Sequence, residues 1–229
     1  MDPEAVYVGI DPTAGRRPFH YAVLDGDLKV ARIDQGDAKI VLDFLRPIQQ
    51  VIVAIDSPQS PNQRLMKRPD VRRRYGLPLK GDRWGQWKVC EYELRRRNIR
   101  LYNTPSRQED APKWMRHGFE LYQQLKAMGF RFFSKGAPLE GRTLLEVHPH
   151  ACFSTLLGRR PFLKTTLEGR LQRQLLLYLE GVDVRNPMHA LEEITKHHLL
   201  SGELPLEDLL DHDALDALTA GIVWKKVNW

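Results

Sequence analysis

The chain has 229 residues, with 35 Lys and Arg against 29 Asp and Glu for a formal net charge of +6; 42% of residues are hydrophobic and 28% charged. That balance excludes a disordered tail protein and a collagen-like repeat, and only two cysteines, Cys90 and Cys152, exclude a disulfide framework or a cysteine-rich zinc site. No apolar stretch approaches the roughly 18 residues of a membrane helix, and the opening residues reach Asp2 and Glu4 without a basic-then-apolar signal, so a cytoplasmic protein away from membranes is expected.

The first element, Val6 to Asp11, is an apolar, β-branched run that ends on an acid and reads as a buried strand. Phe19–Leu24 and Leu28–Ile33 flank Asp25-Gly26-Asp27, a hairpin signal. Ile40, Val41, Phe44, Leu45 and Ile48 then recur at helical spacing, and Val51 to Asp56 repeats the first pattern by ending in Ile-Asp before Ser57-Pro58. A strand that follows a helix usually pairs parallel with an earlier strand through a right-handed crossover. The 51–56 run is therefore expected beside 6–11, with Asp11 and Asp56 together at the carboxyl ends, where ligands bind in open α/β sheets.

Ser57 to Arg83 is rich in Pro and Arg, including Arg72-Arg73-Arg74, and reads as a loop. A helix is expected next, with Trp84, Trp87 and Leu94 on one face and Arg95-Arg96-Arg97 near its C-terminus, where cations complement the helix dipole. Then come a strand at Ile99–Tyr102, an amphipathic helix at Trp114–Met128 and a strand at Thr143–Val147 followed by His148-Pro149-His150. Helices over Thr165–Leu179, Pro187–Leu200 and Leu206–Trp224 complete the chain. With no repeat or interdomain linker, residues 1–229 read as one α/β domain. Its expected sheet is mixed, a three-strand antiparallel meander plus parallel strands, with helices on both faces. A basic insertion covers about 57–83, and helical additions follow at the C-terminal end.

The net charge is unevenly distributed. Residues 57–135 hold 19 Lys and Arg against 7 Asp and Glu, while the rest of the chain holds 16 against 22. A basic middle between acidic flanks suits a phosphate-rich partner gripped beside a carboxylate centre. Clustered basic surface helices give the same numbers.

Asp213 and Asp216 are three apart on the last helix and share a face with Ala217 and Ala220, whereas Leu215, Leu218 and Ile222 point elsewhere. Small residues around two acids let a helix approach a sheet closely, with the carboxylates trapped between. Adjacent buried anions are costly unless cations pair with them, and a divalent metal resolves that conflict. Singly, each acid has another account: Asp211 and Asp213 suit a helix start, and Asp11 and Asp56 precede turn-forming residues. Together they suit Mg²⁺ or Mn²⁺ and metal-assisted phosphodiester cleavage. In that reading Asp11 bridges two ions, Asp56 and Asp213 each hold one, and Asp216 or Glu146 completes a site.

Glu146 sits near a strand end, and side-chain alternation also allows it to face solvent or an inserted helix. His148 is a candidate general acid or hydrogen-bond partner in the same pocket. A transition-metal site built from Glu146, His148 and His150, joined by His197, His198 or His212, requires the strand to run through Pro149. No Gly-x-Ser-x-Gly elbow is present and neither cysteine has a nucleophile motif. Arg72, Arg73, Arg74, Arg95 and Arg96, with Trp84 and Trp87, are candidate phosphate and base contacts, although tryptophans at three-residue spacing equally suit core anchors.

With these residues placed, the chain resembles the RNase H-like superfamily in its meander, helix, acid-ending strand and C-terminal acidic helix. Asp213-Ala-Leu-Asp216-Ala-Leu resembles the last catalytic helix of the RuvC resolvase branch. The whole chain resembles domain-of-unknown-function family 429, described as predicted RNase H-like nucleases. The matching pieces are Gly9-Ile-Asp11, Ala54-Ile-Asp56-Ser-Pro58, Cys90-Glu91, Glu146-Val-His-Pro149, Lys164 with Gly169-Arg170, and His212-Asp213-Ala-Leu-Asp216-Ala. The resemblance implies an RNase H-like fold and a metal-dependent nuclease using Asp11, Asp56, Asp213 and Asp216, with Lys164 and Arg170 as further phosphate contacts. RuvC-type nucleases usually carry a glutamate where this chain has Asp56. The expected function is hydrolysis of nucleic-acid phosphodiesters. Two alternatives stand beside it: a binding module that keeps the fold without turnover, and a small-molecule phosphohydrolase or phosphotransferase using the same acidic pocket.

Overall fold

The β-branched and aliphatic runs form a six-stranded mixed sheet, its strands lying side by side in the order Val30–Gly36, Phe19–Leu24, Val6–Asp11, Val51–Ile55, Arg142–Glu146 and Arg131–Phe132. The structure is a computed structural model and describes residues 5–13, 18–81, 83–134, 141–202 and 206–227. Strands β1 (Val6–Asp11), β2 (Phe19–Leu24) and β3 (Val30–Gly36) make the antiparallel meander. In the tight turn between the second and third strands, the Asp25 carboxylate accepts from the N–H groups of Asp27 and Lys29. After α1 (Ala38–Leu45), capped by the Asp37 side chain, β4 (Val51–Ile55) lies parallel to β1. β6 (Arg142–Glu146) lies parallel to β4, and a two-residue edge strand, β5 (Arg131–Phe132), is an element the sequence pattern does not reveal. The α/β class and the meander-plus-parallel layout are as expected.

Alternation along the strands sorts side chains onto two layers. Val8, Ile10, Val53, Ile55 and Leu144 pack on Val41 and Leu45 of α1 and on Leu121, Tyr122 and Leu125 of α4 (Lys113–Ala127). Tyr7, Ile52, Ala54, Leu145 and Val147 pack on α8 (His212–Val227). The parallel register aligns Ile10 with Ile55 and Ile55 with Glu146. The same alternation therefore turns Asp11 and Asp56, one residue further on, toward α8, and turns Glu146 toward α4.

α8 is buried all round from Asp213 to Ile222. The leucines that the sequence leaves pointing away from the acids join a second layer with Phe153 of α5 (Pro149–Leu157) and Leu177 of α6 (Leu167–Leu179). On the sheet side two glycines fix the approach. A Cβ on Gly9 would lie 1.8 Å from the Ala217 carbonyl oxygen and 2.4 Å from the Gly221 nitrogen, so the backbones of β1 and α8 touch.

The middle of the chain departs from the expected pattern. The 57–83 segment contains a 3₁₀ turn, Leu65–Lys67, and α2 (Pro69–Arg74). α3 (Val89–Arg96) begins after both tryptophans, because Glu91 reaches back to accept from the Lys88 N–H and closes the helix there. Trp84 and Trp87 meet edge to face in the preceding turn, their centroids 6.2 Å apart. Ile99–Tyr102 joins no strand; instead the buried Glu91 carboxylate accepts from the Thr104 N–H and hydroxyl and ties the following loop to α3. Pro149 opens α5, where its missing N–H costs nothing, so Glu146, His148 and His150 do not share a continuing strand. α7 (Pro187–Ser201) completes the helices. No helix among the described residues is long and apolar enough to cross a membrane.

Candidate metal centre

Three elements deliver carboxylates to one point. Asp11 ends β1, Asp56 follows β4, and Asp216 lies in the second turn of α8, held over the sheet by the Gly9–Gly221 contact. One oxygen from each can be chosen so that all lie within 4.8 Å of one another. Asp11 and Asp216 are buried and Asp56 is partly exposed. The turn suggested by Asp11-Pro-Thr is also present, since the Thr13 N–H donates to Asp11 Oδ1 at 2.8 Å.

The electrostatics are those of an anionic cluster short of positive charge. Burial pushes the Asp11 carboxyl up to about 8, aided by the charges of Asp56 and Asp216 and opposed by the Thr13 N–H and Lys164. Burial also raises Asp216, against the pull of Lys164, whose Nζ lies 2.5 Å from Asp216 Oδ2. A second cation stands behind. Arg173 on α6 is fully buried, donates to the carbonyls of Phe162 and Gly169 at 3.0 Å each, and lies over the Phe153 ring. Even with both cations near, one carboxyl stays protonated around neutral pH. Hard oxygen donors at this spacing, carrying charge that the protein's own cations leave uncompensated, fit a divalent ion such as Mg²⁺ or Mn²⁺.

His148 caps the start of α5 and places Nδ1 3.6 Å from Asp56 Oδ1. Burial alone would lower its pKa, but Asp56 and Asp216 outweigh that and raise it. His150 behaves oppositely: burial and the neighbouring His148, Arg173, Arg160 and Lys164 push it down to about 4. Of the two rings, His148 is the one whose acidic neighbours favour the protonated form. Asp56, Asp216, His148, His150, Lys164 and Arg173 all line one cavity of about 400 Å³.

Two of the expected acids lie elsewhere. Asp213, three residues before Asp216 on α8, turns toward β2; it lies 2.6 Å from His212 Nδ1 and 3.9 Å from His20 Nδ1. The glycine contact sets the rotation of α8 so that Asp216, not Asp213, faces Asp11 and Asp56. Glu146 stands on the α4 side of the sheet, where Oε2 accepts from the Gln59 N–H at 3.0 Å and pairs with Lys88 at 3.5 Å.

The expected phosphate contacts divide sharply. Arg72 is buried and donates to the carbonyls of Met66 and Pro78, so it staples the 57–83 segment and is withdrawn from solvent. Arg170 is likewise occupied, donating to the carbonyls of Leu209 and Leu210 just before α8. Arg95 lies over Trp87, and Arg96 over Tyr92 and beside Glu93. Arg73 and Arg74 are exposed at the end of α2. Lys164 is the member of this group that touches the acid cluster.

Sequence reasoning misses Arg173 and the His20–Asp211 pair, whose Nε2 and Oδ2 lie 3.6 Å apart. The signal for Arg173 is Gly169 inside an otherwise amphipathic helix. A Cβ on Gly169 would lie 1.9 Å from the Leu163 carbonyl oxygen, so that glycine seats the Lys164 loop on α6 one turn from Arg173.

No curated protein and no solved structure matches this chain. A family model, protein of unknown function (DUF429), matches residues 9–227 and so spans every residue of the acid cluster, from the β1–α8 glycine contact to the end of α8. The chain belongs to the DUF429 family.

Proposed function

We propose that the protein is a divalent-metal-dependent hydrolase of nucleic-acid phosphodiester bonds, with Mg²⁺ or Mn²⁺ held by Asp11, Asp56 and Asp216. The observation that carries this reading is the convergence of three carboxylates within 4.8 Å, with Asp11 pushed up to about 8. A bound ion of this kind polarises a phosphoryl oxygen and makes water a better nucleophile. The chain supplies the remainder. Lys164, beside Asp216, offers an ammonium to a phosphate oxygen; Arg173, behind it, keeps the buried field from becoming wholly negative. His148 holds a proton against Asp56 at the rim of the cavity, where a leaving oxygen can receive it. Two free thiols, Cys90 and Cys152, fit a reducing, cytoplasmic setting.

The test uses purified protein, labelled single- and double-stranded DNA and RNA, and free nucleotides, with Mg²⁺, Mn²⁺ or a chelator. The expected result is metal-dependent polymer cleavage that Asp11→Asn abolishes. Absence of polymer cleavage with either ion, or cleavage indifferent to Asp11→Asn, overturns the reading. Nucleotide turnover without polymer cleavage selects a small-molecule phosphohydrolase, and salt-sensitive binding without turnover selects a binding module.

A further inference from the structure

One cavity, of about 440 Å³, is walled by cations and by no acid. Arg97 and Arg100 come from the end of α3 and the residues after it, Arg159 and Arg160 follow the end of α5, and His150 and Ser154 lie between them. Four other cavities each have an Asp or Glu in their walls. All four arginines are exposed, and among the described residues none has a carboxylate partner. Arginine beside a helix C-terminus is ordinary, because each such end carries roughly half a negative charge. Two helix ends thus supply about one negative unit against four guanidinium groups, and the concavity stays strongly positive.

The cavity also adjoins the acid cluster. His150 and Arg160 line both it and the cavity that contains Asp56 and Asp216. Guanidinium forks match phosphate oxygens in pairs, and a cleft of one sign concentrates anions of the other. We propose that this cavity is a phosphate subsite, in which Arg97, Arg100, Arg159 and Arg160 hold a substrate phosphate other than the one undergoing reaction at Asp11, Asp56 and Asp216. Its role as a substrate subsite rests on reading the acid cluster as the reacting centre. The phosphate is either a neighbouring group of a polymer backbone or a terminal group of a nucleotide.

Two double variants, Arg97→Ala/Arg100→Ala and Arg159→Ala/Arg160→Ala, test it against Lys39→Ala/Lys196→Ala, which removes equal charge from exposed positions on α1 and α7. The probes are inorganic phosphate, a labelled single-stranded oligonucleotide and a nucleoside triphosphate, each titrated into metal-free protein across a salt series. Thermal unfolding checks that each variant folds, and Arg→Gln versions, which remove the charge but keep most of the side chain, replace any that does not.

Each arginine pair is expected to weaken phosphate binding by about tenfold or more, and to flatten the oligonucleotide salt slope by about 0.7 per lost contact. The lysine pair should change neither. Where cleavage is measurable, KM rises and kcat stays within a few-fold. Selective loss for the oligonucleotide identifies a backbone phosphate, and selective loss for the triphosphate identifies a nucleotide; both support the subsite. Unchanged phosphate affinity and salt slope in both arginine variants overturn it while leaving the cleavage reading intact. Arginine-dependent phosphate binding by a protein that cleaves nothing keeps the anion site and removes the cleavage reading.

Discussion

The two faces of the sheet are built on different rules. Toward α1 and α4 the strands present Val8, Ile10, Val53 and Ile55, which interlock with Leu121, Tyr122 and Leu125; this face is built from large apolar side chains. Toward α8, Tyr7, Ile52, Leu145 and Val147 also pack on the helix, but between them Gly9 and Gly221 set backbone against backbone beside Ala54, Ala217 and Ala220, and the contact ends in three carboxylates. Bulk supplies cohesion on the first face. On the second, the absence of bulk at the glycine crossing sets a distance, and that distance brings Asp216 to Asp11 and Asp56.

The largest expected effect lies at the end of the second face. Asp11→Asn should lower metal-dependent turnover on the order of 10³-fold, the scale seen when a group that stabilises developing charge is removed. Metal-free protein should meanwhile unfold at the same temperature or higher, since the buried carboxyl has to hold a proton far above its ordinary range and an amide does not; a fall in both activity and stability would make Asp11 structural. Leu125→Ala, on the first face, should cost about 2–5 kcal/mol in denaturant unfolding and leave kcat unchanged below the melting transition. Gly9→Ala should cost about 1–3 kcal/mol by overpacking, yet lower kcat far more than Leu125→Ala does. Equal activity losses in the two variants would erase the distinction between the faces.

A smaller effect concerns pH. Because Asp11 titrates near 8 in the folded chain and near 3.8 when unfolded, the folded state holds the extra proton between those values. Metal-free protein should therefore lose stability as pH rises from about 4 to about 8. Asp11→Asn should flatten that slope, as thermal melts across the range would show. Smallest of all, Arg73→Ala on the exposed end of α2 should change stability by less than about 0.5 kcal/mol.

The strands and the parallel placement of Asp11 beside Asp56 were legible because both runs are apolar, β-branched and end identically. Glu146 was not, because its face depends on how β6 registers with β4, and a slip of one residue reverses every side chain. Asp213 and Asp216 share a helical face in any wheel; what distinguishes them is how α8 packs on the sheet, and the close contact there between Gly9 and Gly221 joins residues more than two hundred positions apart. The arginine runs were opaque for another reason. Arg72, Arg73 and Arg74 look alike in sequence, yet the first is consumed by the carbonyls of Met66 and Pro78. The start of α5 did carry its sign in Pro149, the residue that opens the helix.

α6 has a consequence for the mechanics of the site. Through Gly169 and Arg173 it seats the loop that carries Lys164, and through Arg170 it grips the carbonyls of Leu209 and Leu210 at the entrance to α8, which carries Asp216. The ammonium and its carboxylate thus belong to separate stretches of chain. Asp216 is fixed to the sheet through Gly9 and Gly221, and α6 ties the Lys164 loop to the entrance of α8, so the pair is braced from two sides.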